Sequence, residues 1–503
     1  MLFNSMGFLY IFLPAAVLVY FFISKVKQGK YVPFYLLTAS VFFYGYWDHR
    51  FLMLLAFSVS MNFLLGRKLV YHKSKLILFI GLTLNLVILG YFKYYNFFIT
   101  SLNELVSSDF NVINIILPLG ISFFTFSQIS FIVDCFNGRT EENNLITYSL
   151  FVMFFPHVSA GPIVYHREMA PQYRNTEKMK FSFDNLTAGA VLFSIGLFKK
   201  TAIADNLANV VASVFNNKEG VLDAYLSWKG SLAYTFQLYF DFSGYSDMAV
   251  GLANIFGIRL PINFLSPYKS VNIVEFWKRW HMTLSRFFRD YVFLPFSFRL
   301  SRKMSPDSLL GGDIFIYSAG IALTWSLTGI WHGAGWTFLF WGVLHAIYLI
   351  LNRIVKKPKK KLMRKLKLSE KNYAVQVFYV LLTFLFVHIS WVYFRAPDFA
   401  SAYSVIKAMT GTNGIMLAST DTDGTALILF AAFIAFIMPN SYEFLADLKL
   451  GISTYGQIIK NPRHFFLHFN YSIKWAVFIS FVVYISMIFV HSVQKVEFIY
   501  NDF

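Results

Sequence analysis

Ile330-Trp331-His332-Gly333-Ala334-Gly335-Trp336 sets a histidine among tryptophans and small residues, inside an apolar run over 314–351. An ionisable side chain is expensive in hydrocarbon and is kept there for a purpose, facing protein or water rather than lipid. His332 is therefore the residue from which fold and chemistry are read. If its flanks are helical, Trp325, His332 and Trp336 stand seven and four positions apart and share a face, while His345 points roughly the opposite way. Gly333 and Gly335 leave the backbone uncovered beside His332, room that a ligand can use and that also weakens a helix. The same residues equally describe an imidazole bonded to a carbonyl between helices that glycine lets approach closely.

Composition supports a membrane setting. Of 503 residues, 57% are hydrophobic, 20% aromatic and only 14% charged, which excludes a string of soluble domains and points to an integral membrane protein. The formal net charge of +18 would suit nucleic acid, yet the lysines and arginines sit in short loops between apolar runs, as cytoplasmic charge does in membrane proteins. No nucleic-acid partner is expected; lipid is. The single cysteine, Cys135, excludes an intrachain disulfide framework and a four-cysteine metal site, and His464 and His468 lack the glutamate of a metalloprotease motif. No metal is expected.

Residues 1–23 read as a first span, with Lys25, Lys27 and Lys30 placing its end in the cytoplasm and the N-terminus outside. Further spans are read at 34–47, 51–65, 76–91, 375–394, 426–438 and 473–490, within roughly ten to twelve embedded segments of one domain covering 1–503. Arg67, Lys68, Lys73 and Lys75, and again Lys199 and Lys200, are read as cytoplasmic markers, and 353–371 as a basic cytoplasmic loop.

Several interior stretches depart from plain helix. Leu117-Pro118-Leu119-Gly120 and Phe155-Pro156-His157-Val158-Ser159-Ala160-Gly161-Pro162 suggest broken or re-entrant elements beside a cavity, or ordinary proline kinks. Asn85 and Lys93, near Tyr91-Phe92-Lys93-Tyr94-Tyr95, read as an interfacial aromatic belt with a snorkelling lysine. Asp241 and Asp247, in Asp241-Phe242-Ser243-Gly244-Tyr245-Ser246-Asp247, must be paired, hydrated or protonated, and their spacing favours a structural role, with Ser243, over an acid–base pair. Over 259–303 the pattern suggests an amphipathic helix on the cytoplasmic surface, with Phe276, Trp280, Thr283, Phe287 and Tyr291 on one side and Lys278, Arg286 and Arg289 on another. His281 falls between the faces. A basic rim with aromatics suits a phosphorylated, nucleotide-bearing substrate and suits anionic lipid headgroups equally.

Trp331-His332-Gly333, Trp336-Thr337-Phe338 and Trp341-Gly342, preceded by Phe276-Trp277-Lys278-Arg279-Trp280-His281, resemble the membrane-bound O-acyltransferase (MBOAT) family, in its bacterial alginate O-acetyltransferase-like branch. Leu117-Pro118-Leu119-Gly120-Ile121-Ser122-Phe123, Ala160-Gly161-Pro162-Ile163, the 239–248 stretch and Arg289-Asp290-Tyr291 extend the resemblance over most of the chain. It implies an all-α polytopic fold, a ring of helices around a tunnel, His332 as the central catalytic histidine and His281 as a second on the cytoplasmic side. It also implies an acyl-CoA donor, acetyl-CoA above all, and an acceptor reached from the outer face. Lys278, Arg279, Trp280, Arg286, Arg289, Trp331 and Trp336 are the candidate donor contacts. Tyr500, in an aromatic tail, is a candidate acyl relay, although Asn501 and Asp502 depart from the alginate enzyme's ending.

The expected activity is transfer of acetyl from cytoplasmic acetyl-CoA across a bacterial inner membrane to an extracytoplasmic polysaccharide or peptidoglycan, through a separate SGNH-type partner, with no bound cofactor. The alternatives are D-alanyl transfer to teichoic acid from a carrier-protein thioester, a transporter, and a scaffold of a glycan export complex.

Overall fold

A backbone surrounded by hydrocarbon must satisfy its own hydrogen bonds, and in this chain it does so as helix. The computed structural model describes residues 1–177, 179–216, 222–304, 312–415, 424–456 and 469–492. It is 76% helical with no strands among the described residues, an all-α polytopic membrane protein. Among the described residues, eight helices are long and apolar enough to cross a bilayer: Gly7–Lys25, His49–His72, Lys75–Val106, Phe183–Phe215, Gly312–His332, Trp336–Lys365, Tyr373–Arg395 and Ile473–Ser492. Val32–Gly45, Ile121–Phe136 and Thr425–Phe436 are shorter apolar helices.

The core is the 32-residue helix Ala224–Ile255, buried almost end to end. The Phe183–Phe215 segment crosses it where glycine meets glycine. A methyl on Gly189 would stand 2.5 Å from the Gly251 carbonyl, and one on Gly196 2.6 Å from that of Gly244. Only small residues let two backbones come this close.

This crossing explains the first departure from the sequence reading. Lys199 and Lys200 do not mark a cytoplasmic turn; they are buried in the middle of a span, on the π-helical turn Lys199–Ala204. Lys199 Nζ donates to Asp247 Oδ2 at 2.6 Å and to Ser441 Oγ at 2.6 Å, and Lys200 pairs with Asp241 at 2.7 Å and Asp205 at 2.8 Å. The central helix supplies the carboxylates that let two lysines sit in an apolar layer. Ser243, between those aspartates, is buried, and its Oγ has no hydrogen-bond partner among the described residues.

The two interrupted stretches pack on each other. Gly120, at φ +69°, presses against the backbone of Val158 and Ser159, and the Ser159 and Tyr245 hydroxyls bond. The 259–303 segment is not one surface helix. It breaks into Ile273–Trp277, Met282–Phe288, the π-turn Arg289–Phe293 and Leu294–Ser301, with Phe276, Trp280, Thr283 and Phe287 buried. The basic 353–371 stretch is helix as far as Lys365, an extension of Trp336–Lys365, rather than a loop.

Candidate active site

His332 is the last residue of the Gly312–His332 helix and is 2% exposed. The chain turns at 333–335 and returns as Trp336–Lys365, a hairpin closed where Gly342 meets the Trp325 carbonyl and Gly329 meets that of Phe338. The break overturns the shared-face expectation. Trp336 starts a new helix, 53% exposed, with its ring on Phe97. His345, on the returning helix, shares Trp341 with His332 and lies 4.8 Å from it, centroid to centroid. It accepts from Trp277 Nε1, and its Nε2 meets Ser390 Oγ at 2.9 Å. The space beside Gly333 is filled by the Phe338 ring.

The wall around His332 is aromatic: Trp331 at 4.8 Å, Trp341 at 5.0 Å and Phe394 at 5.2 Å between ring centroids. The next imidazole is His281, 6.3 Å away and fully buried. It precedes Met282–Phe288 in the left-handed region at φ +39°. Residues 258–265 hold it there. Met282 N–H donates to the Asn263 carbonyl, Leu265 N–H to that of Arg279, and Thr283 N–H and Oγ1 both donate to Asn263 Oδ1. An N–H donor identifies that amide atom as oxygen, so His281 Nδ1, 3.2 Å from it, donates. The neutral ring then presents Nε2 as an acceptor. Ile163 N–H donates to Thr283 Oγ1, tying the Gly161-Pro162 turn to the same loop.

Two indole N–H groups border the histidines. Nε1 of Trp331 and of Trp341 is buried and has no hydrogen-bond partner among the described residues. Buried donors of this kind are rare and call for a reason.

The basic candidates separate. Arg286 clamps Glu168 through both guanidinium nitrogens at 2.7 and 3.0 Å beneath the Tyr165 ring; Arg279 pairs with Glu275 and Arg289 with Asp290. Trp280 is buried against Phe264, Phe276 and Trp391. Lys278 lines a cleft of about 530 Å³ together with Asn272, Glu275, Lys356, Lys359 and Tyr379. Between the cleft residues Val274 and Lys278, Trp277 packs on Trp325 and Trp341, the latter touching His332.

Sequence reasoning missed three contributors. Asn263 sits in an unremarkable loop, and Glu168 precedes its arginine by over a hundred residues. Lys93 does not snorkel: its ammonium lies on the carbonyls of Trp331 and His332. Asn85 exchanges amide hydrogen bonds with Asn62 in a helix interface. Tyr500, His464 and His468 lie outside the described residues. Among those described, no three His, Cys, Asp or Glu side chains gather as a metal site.

The family model for membrane-bound O-acyltransferases matches residues 137–396, from the loop before the Gly161-Pro162 turn to the end of the helix behind His332. The chain belongs to the membrane-bound O-acyltransferase family. It is an O-acyltransferase. The acyltransferase is 38% identical over 453 residues to the peptidoglycan O-acetyltransferase of Helicobacter pylori, covering 83% of this chain and 81% of that one. It is 36% identical over 421 residues to the probable alginate O-acetylase AlgI of Azotobacter vinelandii, covering 81% and 78%. The teichoic acid D-alanyltransferase of Bacillus subtilis is 31% identical over 291 residues, 57% of this chain and 70% of that one.

Proposed function

We propose that this acyltransferase carries acetyl groups from cytoplasmic acetyl-CoA, across a bacterial inner membrane, to a hydroxyl of an extracytoplasmic glycan such as peptidoglycan or an alginate-like polysaccharide. An SGNH-type partner completes the delivery. The observation that carries this reading is the pair of buried imidazoles, His281 and His332, 6.3 Å apart in an aromatic cage.

His332 is assigned as the base. It takes the proton of the acceptor hydroxyl as the oxygen attacks the thioester carbonyl, then returns it to the departing CoA thiolate, so the products are the ester and the free thiol. The tetrahedral oxyanion needs donors, and the Trp331 and Trp341 indoles, whose rings touch His332, offer buried N–H groups without other partners among the described residues. With Nδ1 donating to Asn263, His281 is assigned to hold the acceptor hydroxyl through Nε2. The aromatic enclosure keeps water away from the thioester, which would otherwise hydrolyse. The cleft at Lys278, Lys356 and Lys359 suits the phosphates of the donor, because ammonium groups pair with phosphate oxygens. Tyr500 remains the proposed relay toward the partner.

The kinship with the Bacillus subtilis teichoic acid D-alanyltransferase supports a second reading, in which a carrier-protein thioester docks on the same basic cleft. One assay separates them: thiol release from acetyl-CoA by purified protein with its partner, beside His332→Ala. Turnover that requires His332 supports the first reading. Silence with acetyl-CoA and turnover with a D-alanyl carrier protein replaces it with the second, and an active His332→Ala enzyme removes the assignment of the base.

A further inference from the structure

Lys93 and Tyr94 belong to the π-helical turn Gly90–Tyr94, which interrupts the long Lys75–Val106 segment. Such turns redirect side chains and collect at functional sites. Here two consecutive residues reach one target. Lys93 Nζ donates to the carbonyl of Trp331 at 2.5 Å and approaches that of His332 at 3.4 Å, while the Tyr94 hydroxyl donates to the Ile330 carbonyl at 2.9 Å.

Those three carbonyls close the Gly312–His332 helix, where a helix leaves its last C=O groups without N–H partners of its own. The chain cannot supply them by continuing, since it breaks at 333–335 and Gly335 N–H turns to the Gly333 carbonyl. A cation at this end also opposes the partial negative charge of the helix terminus. The same ammonium stands 5.6 Å from the centre of the Trp331 ring. Rings wall the His332 imidazole, and the backbone that carries it is the part Lys93 and Tyr94 reach.

We propose that Lys93, seconded by Tyr94, is a positioning residue for acyl transfer: it clamps the last turn of the His332 helix and thereby sets both the imidazole and the Trp331 indole against the reacting carbonyl. The proposal rests on His332 as the base.

The test is steady-state kinetics of thiol release with Lys93→Met, Lys93→Arg, Tyr94→Phe and His332→Ala, each first checked for a monodisperse, folded protein. Lys93→Met should lose kcat by roughly 100-fold, the scale of a misplacement of about 1 Å, while the donor KM stays within about twofold. Lys93→Arg, which keeps a donor and a charge, should recover to within about tenfold of wild type, and Tyr94→Phe should lose less than Lys93→Met. Wild-type kcat in Lys93→Met, a loss confined to KM, or an arginine variant no better than methionine would each overturn the clamp. If Lys93→Met does not fold, an inactive but folded Lys93→Arg together with a fully active Tyr94→Phe overturns it, and the opposite pair upholds it. An active His332→Ala enzyme would instead fail the underlying reading, whereas an inactive one beside a normal Lys93→Met fails the clamp alone.

Discussion

Among the described residues, two of the polar islands inside this membrane protein are built on opposite rules. In the cluster at Lys199, Lys200, Asp205, Asp241 and Asp247, each cation faces a carboxylate at 2.6–2.8 Å. In the cage at His281 and His332, the groups face aromatic rings, and two indole N–H donors have no partner among the described residues. A network of paired charges holds helices together. Titratable rings among rings are costly to keep, and the two indole N–H groups beside them have hydrogen-bonding capacity for a reacting molecule. The first island reads as architecture and the second as chemistry.

The sharpest way to break this contrast is to remove one group from each. His332→Ala should lower transfer by roughly 10²- to 10⁴-fold while the melting profile in detergent is kept. Lys200→Met should do the reverse: it leaves two carboxylates buried without their cation, a loss of about 3–5 kcal/mol read as thermal or SDS unfolding. Asp241→Asn should cost clearly less than Lys200→Met, because the Lys200–Asp205 pair remains balanced. If Lys200→Met folds normally and loses only activity, the cluster belongs to the chemistry and the contrast fails. Asn263→Ala, which releases His281 Nδ1, should reduce transfer by roughly tenfold without a comparable loss of stability. The mildest effect is expected at the cleft: Lys278→Ala with Lys359→Ala should raise the donor KM about threefold, the scale of exposed ion pairs, and added salt should do the same to the wild type.

What the sequence disclosed followed from the range of each signal. Membrane class, helical architecture and family were legible because apolar length and local motifs carry them. The face relation of Trp325, His332 and Trp336 was misread because it assumed an unbroken helix across 333–335, where the chain reverses. Lys199 and Lys200 looked like loop charge because a pair of lysines has the same spelling whether water or Asp241 and Asp247 neutralise it. Lys93 looked like an anchor because its neighbours are aromatic; its target lies 238 residues away. The surface-helix reading of 259–303 failed because a left-handed residue at His281 breaks the period on which it stood. For the three lysines the missing information was a long-range partner, which no local pattern contains.

The buried lysines also bear on how the protein enters its membrane. A lysine near the middle of a helix costs about 2.5–3.5 kcal/mol when that helix is released alone into lipid. The Phe183–Phe215 segment carries two of them, and Asp247, which answers Lys199, is synthesised 48 residues later. The segment precedes Asp241 and Asp247 in the chain and is favoured to wait beside the insertion machinery until Ala224–Ile255 arrives, so that the glycine-matched pair leaves for the bilayer as one unit with both lysines already paired.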